Sequence, residues 1–139
     1  VSKAVADLAD LNPEQQAAVR HRGTPLLVVA GAGSGKTRVL TRRIAHLIET
    51  GDAQPEEILA ITFTNKAALE MRTRVLELVG PRARSMQVST FHSACVRILR
   101  RDGAALGLSS TFTIYDQADS LRLITLIIRD LDINTKFFQ

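Results

Sequence analysis

The sequence predicts an α/β fold: a parallel sheet flanked by helices. Three observations carry that prediction. Apolar runs recur at Leu26–Ala30, Ile58–Phe63 and Met86–Ser89. Segments with helical apolar spacing alternate with them, as in parallel strands joined by crossover helices. A glycine-rich octapeptide, Ala30 to Thr37 (AGAGSGKT), lies between the first run and the helix after it.

Ser2–Asp10 is small and polar and reads as a short helix or a frayed start. Asn12-Pro13-Glu14-Gln15 signals a helix start: Asn at N-cap, Pro at N1, Glu in the first turn. That helix is expected to reach Arg20, and Gly23-Thr24-Pro25 breaks the chain before the strand at 26–30. From Lys36 to Thr50, Leu40, Ile44, Leu47 and Ile48 follow the spacing of one helix face, and Gly51 suits the stop. Ile58–Phe63 is apolar on both faces, as expected for a strand in a covered parallel sheet. A helix is predicted over Asn65–Val79, with Thr64 as N-cap, Ala68, Met71, Val75 and Val79 on one face, and Gly80-Pro81 as its end. The strand at Met86–Ser89 leads into a helix over Thr90–Asp102, with Phe91, Ala94, Cys95 and Ile98 inside. Gly103 and Gly107 mark a loop and Thr111–Tyr115 is extended. Asp116 caps a last helix over Gln117–Leu131, with Leu121, Ile124, Ile128 and Leu131 inside.

At 139 residues the chain fits one domain, and 45% hydrophobic residues suffice to bury a core. The net charge of +4 is unevenly placed. Arg72, Arg74, Arg82, Arg84, Arg97, Arg100 and Arg101 face only Glu77 between Met71 and Arg101, which suggests a polyanion surface or, more plainly, a solvated arginine face. Cys95 is the single cysteine, so an internal disulfide is excluded and a buried, inert thiol is the default. No apolar run approaches the roughly 18 residues of a membrane span, and no signal peptide opens the chain, so a cytosolic setting is expected. Val1 at the start and Lys136-Phe137-Phe138-Gln139 at the end read as cut ends, hence a fragment.

The octapeptide carries the clearest chemistry. Strand, glycine-rich loop, then Lys-Thr opening a helix is the setting of a phosphate-binding loop. Gly31, Gly33 and Gly35 let the backbone turn and bring N–H groups towards phosphate oxygens. The helix N-terminus adds unpaired N–H groups and a positive dipole end. Lys36 is expected to reach the β- and γ-phosphates, and the Thr37 hydroxyl to ligate Mg²⁺. Ala30 stands where the usual pattern has glycine, a position that needs a small residue more than a positive φ.

Three more stretches join the loop in resembling one family. LNPEQQAAV at 11–19, AGAGSGKTRVL at 30–40, ILAITFTNKAALEMR at 58–72 and VSTFHSACVRILRR at 88–101 resemble the N-terminal part of superfamily 1A DNA helicases, the UvrD/PcrA/Rep family. The resemblance covers nearly the whole chain. It implies a RecA-like P-loop NTPase sheet, with residues 1–114 the first part of motor domain 1A and 115–139 the helical start of subdomain 1B. It implies ATP and Mg²⁺ as ligands, held by Ala30, Gly31, Ala32, Gly33, Ser34, Gly35, Lys36, Thr37 and Arg38. Gln15 matches the glutamine that reads adenine, for which a side-chain amide offers a donor and an acceptor; an ordinary capped helix is the plainer reading.

Thr62, Phe63, Thr64 and Asn65 match a motif that contacts single-stranded DNA, at the carboxyl end of a strand where ligands collect in open α/β sheets. Phe63 could stack on a base or sit in the core, and the pattern alone favours the core. Thr90 and His92 match the next DNA-contacting motif, where Phe91 reads as core. The implied partners are single-stranded DNA, single-strand/duplex junctions and the remainder of the helicase, with no membrane, in a bacterial cytoplasm at the nucleoid, in repair or replication. The family's acidic DE-x-QD motif does not occur among the 139 residues, so these residues alone are expected not to hydrolyse ATP. The family's sheet also interleaves later strands, so the isolated chain is expected to aggregate or stay partly unfolded. Rival readings are another P-loop ATPase, such as a helicase-nuclease subunit or a nucleotide kinase, and a non-catalytic DNA-binding module.

Overall fold

A computed structural model describes residues 8–133. The expectations for Ser2 to Asp7 and for Lys136 to Gln139 lie outside the described residues. The chain divides into two compact units, Val1–Val96 and Arg97–Gln139.

In the first unit, helix α1 runs Pro13–Arg20. Its cap is reciprocal: Asn12 Oδ1 accepts from Gln15 N at 2.8 Å, and Gln15 Oε1 accepts from Asn12 N at 3.1 Å. Helix α2, Lys36–Thr50, stops at Gly51 in the left-handed region. Pro55–Glu57 forms a 3₁₀ turn, then strand β1 runs Leu59–Thr62. Helix α3, Asn65–Val79, starts where Thr64 Oγ1 accepts from Ala67 N at 3.1 Å. A 3₁₀ segment, Gly80–Ser85, continues past the expected break. Strand β2, Gln87–Thr90, lies parallel to β1 in the register Leu59 to Gln87 through Thr62 to Thr90. Helix α4, Phe91–Asp102, follows in sequence without a gap, its residues from Arg97 on counted in the second unit.

The main core joins these elements. Ile44 and Ile48 of α2, Ala60 of β1, Ala68, Met71 and Val75 of α3, and Ala83, Met86 and Val88 form one buried cluster. Leu8, Leu11, Val19 and Val39 form a smaller one under α1. The sheet corrects the expectation. It has two strands among the described residues, and the run at 26–30 pairs with neither. Leu27 and Val29 are 86% and 88% exposed. An apolar run supplies side chains for a strand, but ladder hydrogen bonds need a neighbour, and none is beside it here. β1 is likewise covered on one side only: Ala60 is buried, while Leu59 and Ile61 are exposed.

In the second unit, Gly103–Leu106 forms a 3₁₀ turn and helix α5 spans Gln117–Asp130 behind a reciprocal Asp116–Asp119 cap. The expected inner face of α5 is not buried: Leu121, Ile124 and Leu131 are exposed and Ile128 is partly so. α4 departs similarly. Ala94 is buried, but Phe91 and Ile98 are exposed, so its helical spacing marked an apolar stripe, not a covered one. No helix among the described residues is long and apolar enough to cross a membrane.

Candidate nucleotide and nucleic-acid site

Helix α2 begins differently from its neighbours. α1, α3 and α5 each start under a side-chain cap, from Asn12, Thr64 and Asp116. α2 starts at Gly35, and no side chain caps it. Its first-turn N–H groups and positive dipole end are therefore open to an external anion.

The glycine-rich loop above that helix end is tightly specified. Gly33 and Gly35 stand at φ +74° and +82°. The left-handed turn demands glycine at Gly35, where a Cβ would also come within 3.2 Å of the Gln15 Nε2 and require that amide to yield. A Cβ at Gly31 or Gly33 would meet nothing within 4 Å, so the loop backbone borders open space there. Ala30 has no positive φ, since Asp132 is the sole non-glycine with one among the described residues. Alanine in the usual glycine position thus costs no backbone strain.

Lys36 folds across its own loop. Its Nζ donates to Ala30 O at 2.8 Å and Gly31 O at 2.5 Å, and Ser34 Oγ donates to Gly31 O at 2.7 Å. These neutral carbonyls hold the ammonium at the loop, where a phosphate oxygen would compete for it with a full charge. The donor set therefore fits a polyphosphate. Thr37 is exposed in the first turn of α2. Arg38 is engaged elsewhere, ion-paired with Asp10, which also accepts from Arg42 at 3.2 Å. The Arg38 hydrogen bond, with the charge of Arg42, holds the Asp10 carboxyl below the usual carboxylate range.

Gln15 joins α1 to the loop: its Nε2 donates to Ser34 O at 3.1 Å. The plainer reading, a capped helix, is observed: Oε1 serves the helix cap while the amide nitrogen touches the loop. One N–H and one oxygen lone pair remain for a ligand. A cavity of about 200 Å³ lies beside it, lined among others by Asn12, Gln15, Val29, Ala30, Ser34 and Lys36. Among the described residues no cluster of three or more His, Cys, Asp or Glu could hold a metal ion.

A second set of residues gathers at the carboxyl end of the sheet. The parallel register pairs Thr62 with Thr90, so Phe63 and Phe91 leave the two strands at the same end. Both rings are exposed, Phe63 at 93% and Phe91 at 61%, against the core expectation for Phe91 and the core alternative for Phe63. They follow the last ladder pair of the sheet. His92 meets Phe91 edge-on at 6.4 Å between ring centroids. Thr62 Oγ1 donates to Thr64 O at 3.0 Å, and Asn65 is exposed at the start of α3. Thr90, expected to reach a DNA backbone, is instead buried, its hydroxyl bonded to Ser93 Oγ and Ser93 N. It shapes the start of α4, while His92 beside it is exposed. Sequence periodicity placed Phe91 in the core, because an aromatic at the first position of an amphipathic helix reads as core; its place directly after a strand was the available signal of its exposure.

The arginine cluster is narrower than its charge suggests. Arg72 donates to Val88 O, Arg74 pairs with Glu70, Arg101 pairs with Asp102, and Arg100 lies 5.9 Å from the Phe112 ring centroid. These contacts commit Arg72, Arg74, Arg100 and Arg101 within the chain.

The fold and loop define the class: an α/β protein with a glycine-rich loop feeding an uncapped helix. Residues 11–139 match the family described as the UvrD/REP helicase N-terminal domain, and the chain belongs to that family. It is 61% identical over 133 residues to the ATP-dependent DNA helicase UvrD1 of Mycobacterium bovis, covering 95% of this chain and 17% of the relative. It is 57% identical over 134 residues to UvrD1 of Mycobacterium leprae, covering 95% and 17%. It is 53% identical over 130 residues to the ATP-dependent DNA helicase PcrA of Staphylococcus epidermidis, covering 94% and 18%. The chain thus spans less than a fifth of the length of the curated relatives it matches.

Proposed function

We propose that the chain forms the nucleotide-binding half-site and the first DNA grips of an ATP-dependent helicase. The observation that carries this reading is the uncapped start of α2 under a glycine-rich loop, with Lys36 and Gln15 both fastened to that loop. ATP is the ligand because the relatives named above are ATP-dependent DNA helicases.

In this reading the backbone amides from Gly31 to Gly35, with Ala32 and Ser34, hold the phosphates. Lys36 exchanges its loop carbonyls for phosphate oxygens, and Gln15 offers its remaining N–H and lone pair to the adenine edge. Thr37 would hold Mg²⁺, which when bound neutralises charge on phosphoryl oxygens. Arg38, now paired with Asp10, can turn to the nucleotide only by leaving that carboxylate. Phe63 and Phe91 offer faces for bases, while Thr64, Asn65, His92 and the start of α3 offer donors to the DNA backbone. Residues 1–114 would belong to a RecA-like motor domain 1A, and subdomain 1B would start near Tyr115. The rest of a longer protein would supply the remaining strands, the acidic motif and the second motor domain. The whole would move 3′→5′ on single-stranded DNA and open junctions in replication or repair, in a bacterial cytoplasm at the nucleoid.

The test uses the full-length protein in a strand-displacement assay on duplexes with a 3′ or a 5′ single-stranded tail. ATP-driven displacement of the 3′-tailed substrate, lost in Lys36→Ala, is expected. Displacement that persists in Lys36→Ala, or that needs only a 5′ tail, overturns the reading.

A further inference from the structure

Helix α1 carries Gln15 at one end and is held at the other by a different residue. Arg43 of α2 reaches across to its last turn, where Nη1 donates to Ala18 O at 2.7 Å, His21 O at 2.8 Å and, at the limit, Val19 O at 3.4 Å. These are carbonyls at the negative end of a helix, which no intrahelical N–H serves. Arg22 shares two of them, donating to Val19 O at 3.1 Å and His21 O at 2.9 Å. Its Nε is tied in turn to Asp52 at 2.8 Å, and Asp52 also accepts from Thr50 at the end of α2. The whole C-terminal turn of α1 is thereby fastened to α2.

That fastening adds to the apolar packing of Val19 and Ala18 with Leu8, Leu11 and Val39, and α1 is short. It has eight residues, about 12 Å of helix, too short to persist alone. It buries one side chain, Val19. At its other end the tie to the loop is a single exposed, neutral hydrogen bond, Gln15 Nε2 to Ser34 O. Bonds from a part-buried guanidinium are stronger than such a bond, so the C-terminal clamp, together with the packing of Val19 on Val39, fixes where the helix lies. Because α2 also begins at the loop, Arg43 refers Gln15 and the loop to one rigid element.

We propose that Arg43 is a positioning residue for nucleotide recognition: by clamping the end of α1 to α2, it holds the Gln15 amide in register with the phosphate loop. The inference rests on the nucleotide reading of Gln15 given above. Arg43 does not touch the nucleotide; it acts through α1. Loosening the clamp lets α1 tilt, and the Gln15 amide no longer meets adenine and Ser34 together.

The experiment measures equilibrium binding of ribose-labelled fluorescent ATP and GTP to the full-length protein, because guanine offers two acceptors, O6 and N7, where adenine offers a donor and an acceptor. Gln15→Ala reports the amide directly, and Arg43→Met removes the clamp while keeping an apolar stem. Arg43→Met is expected to weaken ATP binding about tenfold. It should also bring the ATP-to-GTP preference to the Gln15→Ala level, and Gln15→Ala/Arg43→Met should add nothing further. Arg43→Lys, which keeps the charge on a shorter reach, should fall between, and it serves as the probe if Arg43→Met does not fold. A purely structural role would lower the melting temperature and the active fraction with the preference unchanged. If Gln15→Ala lowers the preference and the Arg43 variants retain it, the clamp is wrong while the Gln15 reading stands. If Gln15→Ala itself leaves the preference unchanged, the Gln15 reading fails and the clamp proposal with it.

Discussion

Gly35 is fixed by its left-handed backbone at φ +82°, and a Cβ there would stand 3.2 Å from Gln15 Nε2. Gly35→Ala should therefore strain the loop by roughly 1–2 kcal/mol and displace the Gln15 amide from it. The expected readout is weaker binding of fluorescent ATP to the full-length protein, with a lowered melting temperature; unchanged affinity would mean that the loop is not the binding element. At the DNA end the exposed rings make a parallel prediction. Phe63→Ala and Phe91→Ala should each cost roughly 1–3 kcal/mol in single-stranded DNA affinity, the range for one lost base stack. Titration of a labelled oligonucleotide checks this, and loss at Phe63 alone would assign Phe91 a packing role.

At the scale of elements, α2 links the loop to the core. Ile44 and Ile48 anchor it in the main cluster, and Val39 in the smaller one. His46 lies on the same helix, with its Nδ1 buried and without a hydrogen-bond partner. Burial first, then the charge of Arg22, holds its imidazole below the ordinary value of 6.5, with Asp52 and Glu49 opposing in part. The folded chain therefore prefers neutral His46. Above pH 6.5 neither state is protonated and stability is complete. As pH falls below that value the unfolded chain takes a proton that the folded chain resists, so stability declines. Thermal melts of the full-length protein at pH 7.5 and 5.5 should show a lower melting temperature at the acid value. His46→Gln should flatten that difference, and an unchanged slope would place the titration elsewhere.

For the whole molecule, exposed apolar surface is the dominant fact. Leu27 and Val29 beside the loop, Leu59 and Ile61 on β1, and Leu121 and Ile124 on α5 all face outward. Unpaired strands and bare apolar faces invite association. The 139-residue chain by itself is expected to aggregate or to melt without a cooperative transition, and to release no phosphate from ATP even with single-stranded DNA present. A monomer with a sharp calorimetric transition, or phosphate release abolished by Lys36→Ala, would contradict these two expectations respectively.

Much of this protein was legible from local rules. Asn12-Pro13 started α1, Thr64 started α3 and Asp116 started α5, because caps are chosen by residues within a few positions. The glycines of the loop were legible for the same reason: a positive φ is a property of one residue. What the sequence alone could not decide was coverage. Leu26–Ala30 had the composition of a strand but no neighbour to pair with. Phe63 and Phe91 had the composition of a core but stand in the open. Nor did any pattern connect Gln15 to Ser34, or Arg43 to the carbonyls of α1, across a turn and two helices. The sequence by itself determined where helices start, where the chain turns and which loop could cradle phosphate, since those depend on near neighbours. Only the tertiary structure decided which faces are covered and which distant side chains meet, because burial and long-range hydrogen bonds belong to pairs of elements.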